Sequence, residues 1–336
     1  MDRRPRRLIR LGAGLALALA FAATLAAAAT GPTFRREGEL ASQPVEIELV
    51  GLEAAAADAA LGAAWIELAR SAGVLASHLD AFERAAGGPM APEPSVWELL
   101  TRAEGFCRWS SGTVSVLGGR VLELWRAGGP GRSRPTPDEL AAAAASARCD
   151  RISADPPQRT VRLAAGTRVD FEPFERGWAV DRAVEALRAA GAPSGRIRFG
   201  PVVRAYGPGP TGRGWRYEFP DLPSLTAPLE GFWLRDRAIV LLRADERPLV
   251  VAGDRLARWI DLRTGSPGGG LVAVAAVTGL GADAEALAWA MFALGPRIGI
   301  AKASELEPEP SVLWLVGSGE SPPLLLENAW SALPGR

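Results

Sequence analysis

One stretch near the middle of the chain joins a strand end, an irregular loop and a helix in a single unit. It runs from Val169 to Gly191 and reads VDFEPFERGWAVDRAVEALRAAG. Alternating apolar residues leading up to Asp170 predict a strand, and apolar residues at helical spacing from Val180 to Leu187 predict a helix that Gly191 ends. The loop carries acidic and basic side chains to the helix start, where unpaired backbone N–H groups favour anions. This order predicts a site for a phosphate-bearing ligand.

Composition limits the classes of protein to which the chain can belong. Its 336 residues are 48% hydrophobic and can form one large or two modest globular domains. The 38 basic and 38 acidic residues balance, which argues against a general nucleic-acid partner. With two cysteines and one histidine, a Cys/His zinc site is excluded. The histidine, His78, lies in an apparently helical segment, which gives a Ser-His-Asp triad little support.

The first 30 residues have the pattern of an export signal. An arginine-rich start precedes an apolar run from Leu11 to Ala29 that contains small residues suited to cleavage. The run is just long enough to span a bilayer, so an uncleaved membrane anchor is the alternative. Either reading predicts an exported protein, periplasmic or anchored on the outer face of the cytoplasmic membrane. A disulfide between Cys107 and Cys149 can form in that compartment, although the sequence does not show whether the two residues meet.

The remaining patterns predict a mixture of helices and strands. The first predicted strand after Thr30 is Val45 to Val50, and Ser311 to Val316 is the predicted last strand. Gly112 to Trp125 is either part of a ligand site or a packed strand and turn without a ligand. Between these, the patterns predict further elements: helices at 54–79, 95–109, 136–147 and 282–294, a hairpin at 152–163, and strands at 196–206, 215–219, 232–234, 238–242, 248–252 and 271–277.

The opening stretch resembles a motif of the ApbE family, the FAD:protein FMN transferases. The family pattern is D-L-G-G-[IF]-A-K-G-[YW]-A-[VL]-D, and the matching residues here are Asp170, Arg176, Gly177, Trp178, Ala179, Val180 and Asp181. Arg176 stands in place of the family lysine and Glu175 in place of an alanine. The two family glycines are replaced by Glu172 and Pro173.

Three further segments resemble motifs of the same family. RWIDLRTGSP resembles H-I-[IL]-[DN]-P-[RK]-T-G-x-P, with Arg258 in place of the histidine. RFGPVVRAYG resembles D-x-G-G-[DN]-[IV]-x-A-x-G and keeps its first glycine as Gly200. ADAEALAWAMFAL resembles a helix whose aspartate and threonine ligate magnesium in the family, together with the backbone carbonyl of the alanine in the opening motif. Those two positions are Glu285 and Trp289 here.

The resemblance implies a fold and an activity. It implies an α+β fold, with an ApbE-like domain of two interleaved sheet-and-helix halves at residues 40–330. It implies a Mg²⁺-dependent FAD:protein FMN transferase, which moves FMN from FAD to a Thr or Ser hydroxyl with release of AMP. The expected cofactors are therefore FAD and Mg²⁺, and the expected partners are FAD and a protein substrate to be flavinylated.

The resemblance also assigns expected roles to particular residues. The catalytic residues would be Arg176, Arg258 and Asp261. Glu175 and Glu285 would ligate the metal, because a carboxylate can give an oxygen to Mg²⁺ whereas tryptophan cannot. The cofactor-binding residues would be Gly177, Asp181, Gly200, Arg263, Thr264 and Gly265.

Two alternatives follow from the altered residues. Without a cation, carboxylates of Glu172, Glu175, Asp283 and Glu285 brought together would repel one another. Either a metal sits among them, or arginines such as Arg176 and Arg258 pair with them. The second case describes a catalytically inactive ApbE-like flavin- or partner-binding protein. The Asp-x-Arg-Thr-Gly turn has the same ambiguity, since it can face phosphate or form an ordinary salt-bridged turn.

Overall fold

A computed structural model of the protein describes residues 31–85, 87–126, 133–222, 225, 227–317 and 322–335. The predicted export signal or anchor, residues 1–30, lies outside them. The helices are α1 Ala54–Ala85, α2 Pro94–Trp109, α3 Gly119–Arg126, α4 Pro137–Ser146, α5 Glu175–Ala189 and α6 Gly281–Ala303. The strands are β1 Phe34–Leu40, β2 Gln43–Val50, β3 Pro89–Met90, β4 Ile152–Asp155, β5 Thr160–Leu163, β6 Ser194–Phe199, β7 Val202–Tyr206, β8 Trp215–Tyr217, β9 Phe232–Leu234, β10 Arg237–Arg243, β11 Leu249–Val251, β12 Asp254–Leu256, β13 Ile260–Asp261, β14 Ser266–Pro267, β15 Leu271–Thr278, β16 Ser311–Val316 and β17 Leu324–Asn328.

An eight-stranded sheet forms the centre of the fold. Its order is β1-β2-β6-β7-β10-β15-β16-β17, and every neighbouring pair is antiparallel. In β2, Val45, Ile47 and Leu49 alternate onto the buried face that the helices cover, as a period of two requires. The opposite face packs against the β8–β9 hairpin and the short 3-10 helix Trp330–Ala332. Both faces of the sheet are therefore covered.

A smaller half is inserted between β2 and β6 in the sequence. It contains α2, α3, α4 and a three-stranded sheet in the order β3-β5-β4. A disulfide joins Cys107 at the end of α2 to Cys149, with the Cα atoms 5.7 Å apart. The chain thus leaves the large sheet, builds the smaller half and returns, which confirms the α+β expectation.

Several local predictions were wrong. The single strand predicted at 196–206 is two antiparallel strands, β6 and β7. A strand, β1, precedes the predicted first strand, and β17 follows the predicted last one. The strand that leads into the opening stretch ends at Leu163, so Asp170 lies in irregular backbone. The segment at 112–125, which one of its two interpretations made a strand and turn, ends instead in helix α3. Apolar residues in short segments do not distinguish a helix from a strand by themselves, which accounts for the last error.

Helix α1 is, in the described part of the chain, the one helix long and apolar enough to cross a membrane on length and composition alone. It packs against α5 and β2. The apolar face of α1 therefore has a partner within the fold, with Ala57, Leu61, Ala64 and Leu68 buried there.

Candidate active site

Helices α5 and α6 touch at two glycines near their N-termini. A Cβ atom added to Gly177 would lie 2.2 Å from the carbonyl oxygen of Gly281, and one added to Gly281 would lie 2.6 Å from the carbonyl oxygen of Gly177. No side chain fits at this crossing, so the two backbones are in direct contact. Gly177 was expected to approach a cofactor, whereas the structure uses it to pack two helices. The crossing brings Glu175 and Arg176 next to Glu285, one turn further along α6.

Hydrogen bonds of Asp181 link the same two helices. Its carboxylate accepts hydrogen bonds from the backbone N–H groups of Gly281 at 2.7 Å and Ala282 at 3.0 Å, and from the Arg204 guanidinium at 2.7 Å. The side chain therefore pairs two backbone N–H groups at the start of α6, where a negative charge is favoured. It was expected to bind cofactor, but all of these bonds are internal. Sequence reasoning gave no role to Arg204, which lies in β7 within the RFGPVVRAYG segment.

The Glu285 carboxylate is fully buried and bonded through both oxygens. Arg176 Nε donates to Oε1 at 2.8 Å, and the backbone N–H of Gly177 donates to Oε2 at 2.8 Å. Arg176 Nη2 also lies 2.8 Å from Oε1 in the same ion pair. Burial lowers the pKa of Arg176, but the carboxylates of Glu285, Glu175 and Glu246 more than offset this, so the pKa is raised. The guanidinium stays charged.

A second group of ion pairs lies beside the first. Arg126, the last residue of α3, contacts Asp170 at 2.6 Å and also pairs with Glu172. Arg258 pairs with Glu172 as well. Burial and the neighbouring Arg126 lower the pKa of Arg258. The structure therefore brings Arg258 to the site as expected, and it adds Arg126, which no motif had singled out.

Three carboxylates of the site, those of Glu175, Glu246 and Glu285, have raised pKa values. Burial raises the pKa of Glu285, and Arg176 and the Gly177 N–H oppose the shift. Glu175 is an exposed residue, but neighbouring protein atoms remove part of the water around its carboxyl group, and this loss of solvation raises its pKa. Arg176 opposes the shift and Glu285 adds to it. The Glu175 side chain makes no hydrogen bond or ion pair to any residue that the structure describes. Burial likewise raises the pKa of Glu246, opposed first by Arg176. Glu246 follows β10 and was also missed by sequence reasoning. We call the group Asp170, Glu172, Glu175, Arg176, Arg126, Glu246, Arg258 and Glu285 the α5–α6 site.

Two buried guanidinium nitrogens of this site lack a hydrogen-bond acceptor among the described residues. They are Arg176 Nη2, which meets Glu285 at ion-pair distance without hydrogen-bond geometry, and Arg258 Nε. A buried donor without an acceptor is costly. Guanidinium groups match phosphate oxygens in shape and charge. The residues present therefore fit the phosphates of a dinucleotide such as FAD.

The residues do not fit Mg²⁺. Magnesium requires near-octahedral oxygen ligation, but both oxygens of Glu285 are bonded to Arg176 and Gly177. One turn further along α6, Trp289 is 1% exposed and donates its indole N–H to the carbonyl oxygen of Ile260 at 3.0 Å. Within the described ranges, no group of three or more His, Cys, Asp and Glu side chains could hold a metal ion. The expected metal ligands Glu175 and Glu285 thus do not make a magnesium site here.

The residues of the Asp261 turn bond to one another. Arg263 contacts Asp261 through two nitrogens, Nε to Oδ1 at 3.0 Å and Nη2 to Oδ2 at 2.6 Å. The backbone N–H of Gly265 donates to the Asp261 carbonyl oxygen at 2.8 Å, and Thr264 Oγ1 contacts the same oxygen at 3.4 Å. This is the salt-bridged alternative. Arg263 lines a separate cavity of about 690 Å³ that also borders Cys149, away from Arg176.

Gly200 occupies the β6–β7 turn with a left-handed φ of +55°. It lines a cleft of about 630 Å³ that also contains Arg198, Tyr217 and Phe219. Glu246 borders this cleft as well and interacts electrostatically with Arg176. Gly200 therefore lies near the α5–α6 site, at the same end of the sheet.

Comparison with known proteins finds the same fold in ApbE proteins. The model of the ApbE family matches residues 43–314. No curated protein matches the chain. The flavinyl transferase ApbE of Pseudomonas stutzeri, in its apo form, is 21% identical with a TM-score of 0.74, covering 91% of this chain and 98% of that one.

Two other solved structures agree. The ApbE protein of Thermotoga maritima is 19% identical with a TM-score of 0.79, covering 91% of this chain and 100% of that one. The flavin transferase ApbE of Vibrio cholerae is 20% identical with a TM-score of 0.75, covering 90% and 99%. At these identities the likeness shows the fold, and it extends over almost the whole of each protein.

Proposed function

Because the chain belongs to the ApbE family, we propose that it acts on a flavin nucleotide, FAD, at the α5–α6 site. The observation that carries this proposal is the pair of buried donors without acceptors, Arg176 Nη2 and Arg258 Nε. The pyrophosphate of FAD would supply charged oxygen acceptors for such donors. Family membership, together with the flavin transferases among the similar structures, supports a flavin transferase role in general terms.

The geometry best supports FAD binding without Mg²⁺-dependent transfer of FMN. Phosphoryl transfer requires neutralisation of the charge that develops on the transferring group and an in-line arrangement of the reacting oxygens. The residues that would ligate magnesium do not fit the ion, because Glu285 is bonded to Arg176 and Trp289 fills the next turn of α6. The protein would then be a catalytically inactive member of the family that binds flavin.

A second candidate is FMN transfer from FAD to a Thr or Ser hydroxyl of a partner protein, with release of AMP. The observation that favours it is the Glu175 carboxyl, which has no hydrogen-bond or ion-pair partner among the described residues and whose pKa is raised by burial. In this candidate Glu175 accepts the proton of the attacking hydroxyl, while Arg176 and Arg258 neutralise charge on the phosphoryl oxygens. No step passes through a metal ion.

We propose that the protein lies outside the cytoplasm, periplasmic or anchored on the outer face of the cytoplasmic membrane. The support is the disulfide between Cys107 and Cys149, a bond that persists mainly in oxidising compartments. The arginine-rich and apolar start of the sequence supports the same location.

The test is a binding and transfer experiment on the full chain exported by a bacterial host. FAD, FMN and AMP are titrated while flavin fluorescence or tryptophan quenching is followed. A threonine-containing target peptide is then incubated with FAD, with and without Mg²⁺, and AMP and peptide mass are measured. We expect FAD to bind and no AMP to appear. AMP with a flavinylated peptide would establish the second candidate, and absence of FAD binding would overturn both.

Matched variants sharpen this experiment. Arg258→Gln removes one of the two donors and is expected to weaken FAD binding. Arg148→Gln removes an exposed guanidinium that pairs only with Asp150 in the described part of the chain, and it should leave FAD binding unchanged. Equal effects of the two substitutions would indicate general charge attraction rather than a site.

A further inference from the structure

A buried ion pair of the α5–α6 site joins Arg176 to Glu285, the residue expected to ligate a metal. We infer that the Arg176 guanidinium replaces a divalent cation at Glu285, so that the site binds the phosphates of a flavin nucleotide without any metal. The phosphate part of this inference rests on the proposed function. The replacement itself rests on the contacts of Arg176 and Glu285 and can be tested alone.

Glu285 needs a counter-charge wherever it is buried. Its side chain is 0% exposed, and an unpaired carboxylate in such a place is strongly destabilising. Arg176 supplies the opposite charge at 2.8 Å, and the Gly177 N–H satisfies the second oxygen at 2.8 Å. Nothing in the charge or hydrogen bonding of this carboxylate requires a metal ion.

The same ion pair links α5 to α6, as a metal ion bound by both helices would. Arg176 belongs to α5 and Glu285 to α6, so their ion pair links the two helices where Gly177 and Gly281 touch. Trp289 packs edge-on against Trp259, with ring centroids 5.2 Å apart, and fills the next turn of α6. The Glu285 side chain itself is 0% exposed and both of its oxygens are bonded within the protein.

Arg176 also has a nitrogen that can donate a hydrogen bond to a ligand. A guanidinium carries five N–H donors and stays charged at every pH at which proteins are folded. Nε is committed to Glu285, whereas Nη2 has no hydrogen-bond acceptor among the described residues. One side chain can thus neutralise Glu285 and donate to a phosphate oxygen. The positive charge of the site is then independent of the metal concentration around the protein.

The first arm of the test needs no flavin. Mn²⁺ is titrated into the full-length protein and followed by electron paramagnetic resonance, and the Tm is measured in Mg²⁺ and in EDTA. We expect no stoichiometric Mn²⁺ binding and the same Tm in both solutions. Stoichiometric Mn²⁺ binding that disappears in Glu285→Gln would overturn the replacement.

The second arm measures FAD affinity in EDTA. Wild-type affinity should be unchanged by Mg²⁺. The double variant Arg176→Gln with Glu285→Gln leaves no unpaired buried charge, so it can be compared with wild type once its circular dichroism shows a folded protein. Loss of a charged hydrogen bond should weaken FAD binding by about 10- to 100-fold. Unchanged affinity in this variant, or wild-type affinity that depends on Mg²⁺, would overturn the role of Arg176 in binding phosphate.

The two arms separate two kinds of failure. If wild-type protein binds no FAD under any condition, the proposed function fails, and the Mn²⁺ titration still decides whether Arg176 replaces a metal. If FAD binds only with Mg²⁺, the proposed function stands and the replacement of the metal by Arg176 fails.

Discussion

Arg176 and Glu285 form a buried ion pair across two helices, with Nη2 2.8 Å from Oε1. Replacing Arg176 by Gln should lower the free energy of unfolding by about 3–5 kcal/mol, because it leaves a buried carboxylate without its partner. Urea unfolding followed by circular dichroism measures the change. The double variant with Glu285→Gln should recover part of the loss, since neither charge remains.

The control for that change is an ion pair of the same kind on the surface. Arg70 contacts Glu67 at 2.8 Å within α1, with 47% of the arginine side chain exposed. Arg70→Gln should cost about 0.5 kcal/mol or less. Similar losses for the two arginines would contradict a special role for the buried pair.

The glycine contact between α5 and α6 gives a second prediction. Gly177→Ala should lower the free energy of unfolding by about 1–3 kcal/mol, because the added methyl group would meet the Gly281 carbonyl and force the helices apart. Gly73 in α1 is exposed and has no heavy atom within 4 Å of an added Cβ. Gly73→Ala should therefore stabilise the protein by about 0.5–1 kcal/mol. We therefore expect Gly177→Ala to lower the Tm and Gly73→Ala to raise it, as measured by thermal unfolding.

The disulfide gives a third prediction. Cys107 and Cys149 are 42 residues apart, and loss of a bond that closes such a loop should cost about 4 kcal/mol through the entropy of the unfolded chain. The double Ser variant should thus unfold at lower urea concentration than wild type. Reductant should shift the wild-type transition towards that of the variant and leave the variant unchanged. A reductant effect on both proteins would point to another cause.

Glu175 gives a prediction about pH. Its pKa is raised in the folded protein, so the folded state holds this proton at a pH where the unfolded chain has lost it. The stability that protonation of Glu175 contributes is present at low pH and is lost as the pH rises through the raised pKa. Gln cannot ionise, so Glu175→Gln should raise the Tm at pH 8 and change it little at pH 4. Glu39→Gln, on the exposed edge strand β1, is the matched control.

Local sequence signals predicted much of the fold. The helix α5 and its stop at Gly191 were both visible as short-range patterns. Strand β1 was missed because its sequence, FRREGEL, is mostly charged and exposed, so it shows no apolar alternation. Its place comes from pairing with β2, which a local pattern does not contain.

The site was predicted less completely, for a related reason. Two motif segments marked Arg176 and Glu285, and the repulsion expected among the acidic residues of these segments indicated that arginines could pair with them. The partners that complete the site, Arg126 and Glu246, lie far away in the sequence and belong to no motif. Asp181 kept its place in the motif, but its bonds to the start of α6 became visible only when the two helices were brought together.

The bond between Cys107 and Cys149 has a practical consequence. The chain has two cysteines, and both are in this bond. The oxidised protein therefore offers no sulfhydryl to alkylating reagents, and a cysteine introduced at an exposed position such as Ile66 would be the sole target for a spectroscopic label. Distances between α1 and a labelled nucleotide can then be measured on an otherwise unmodified protein.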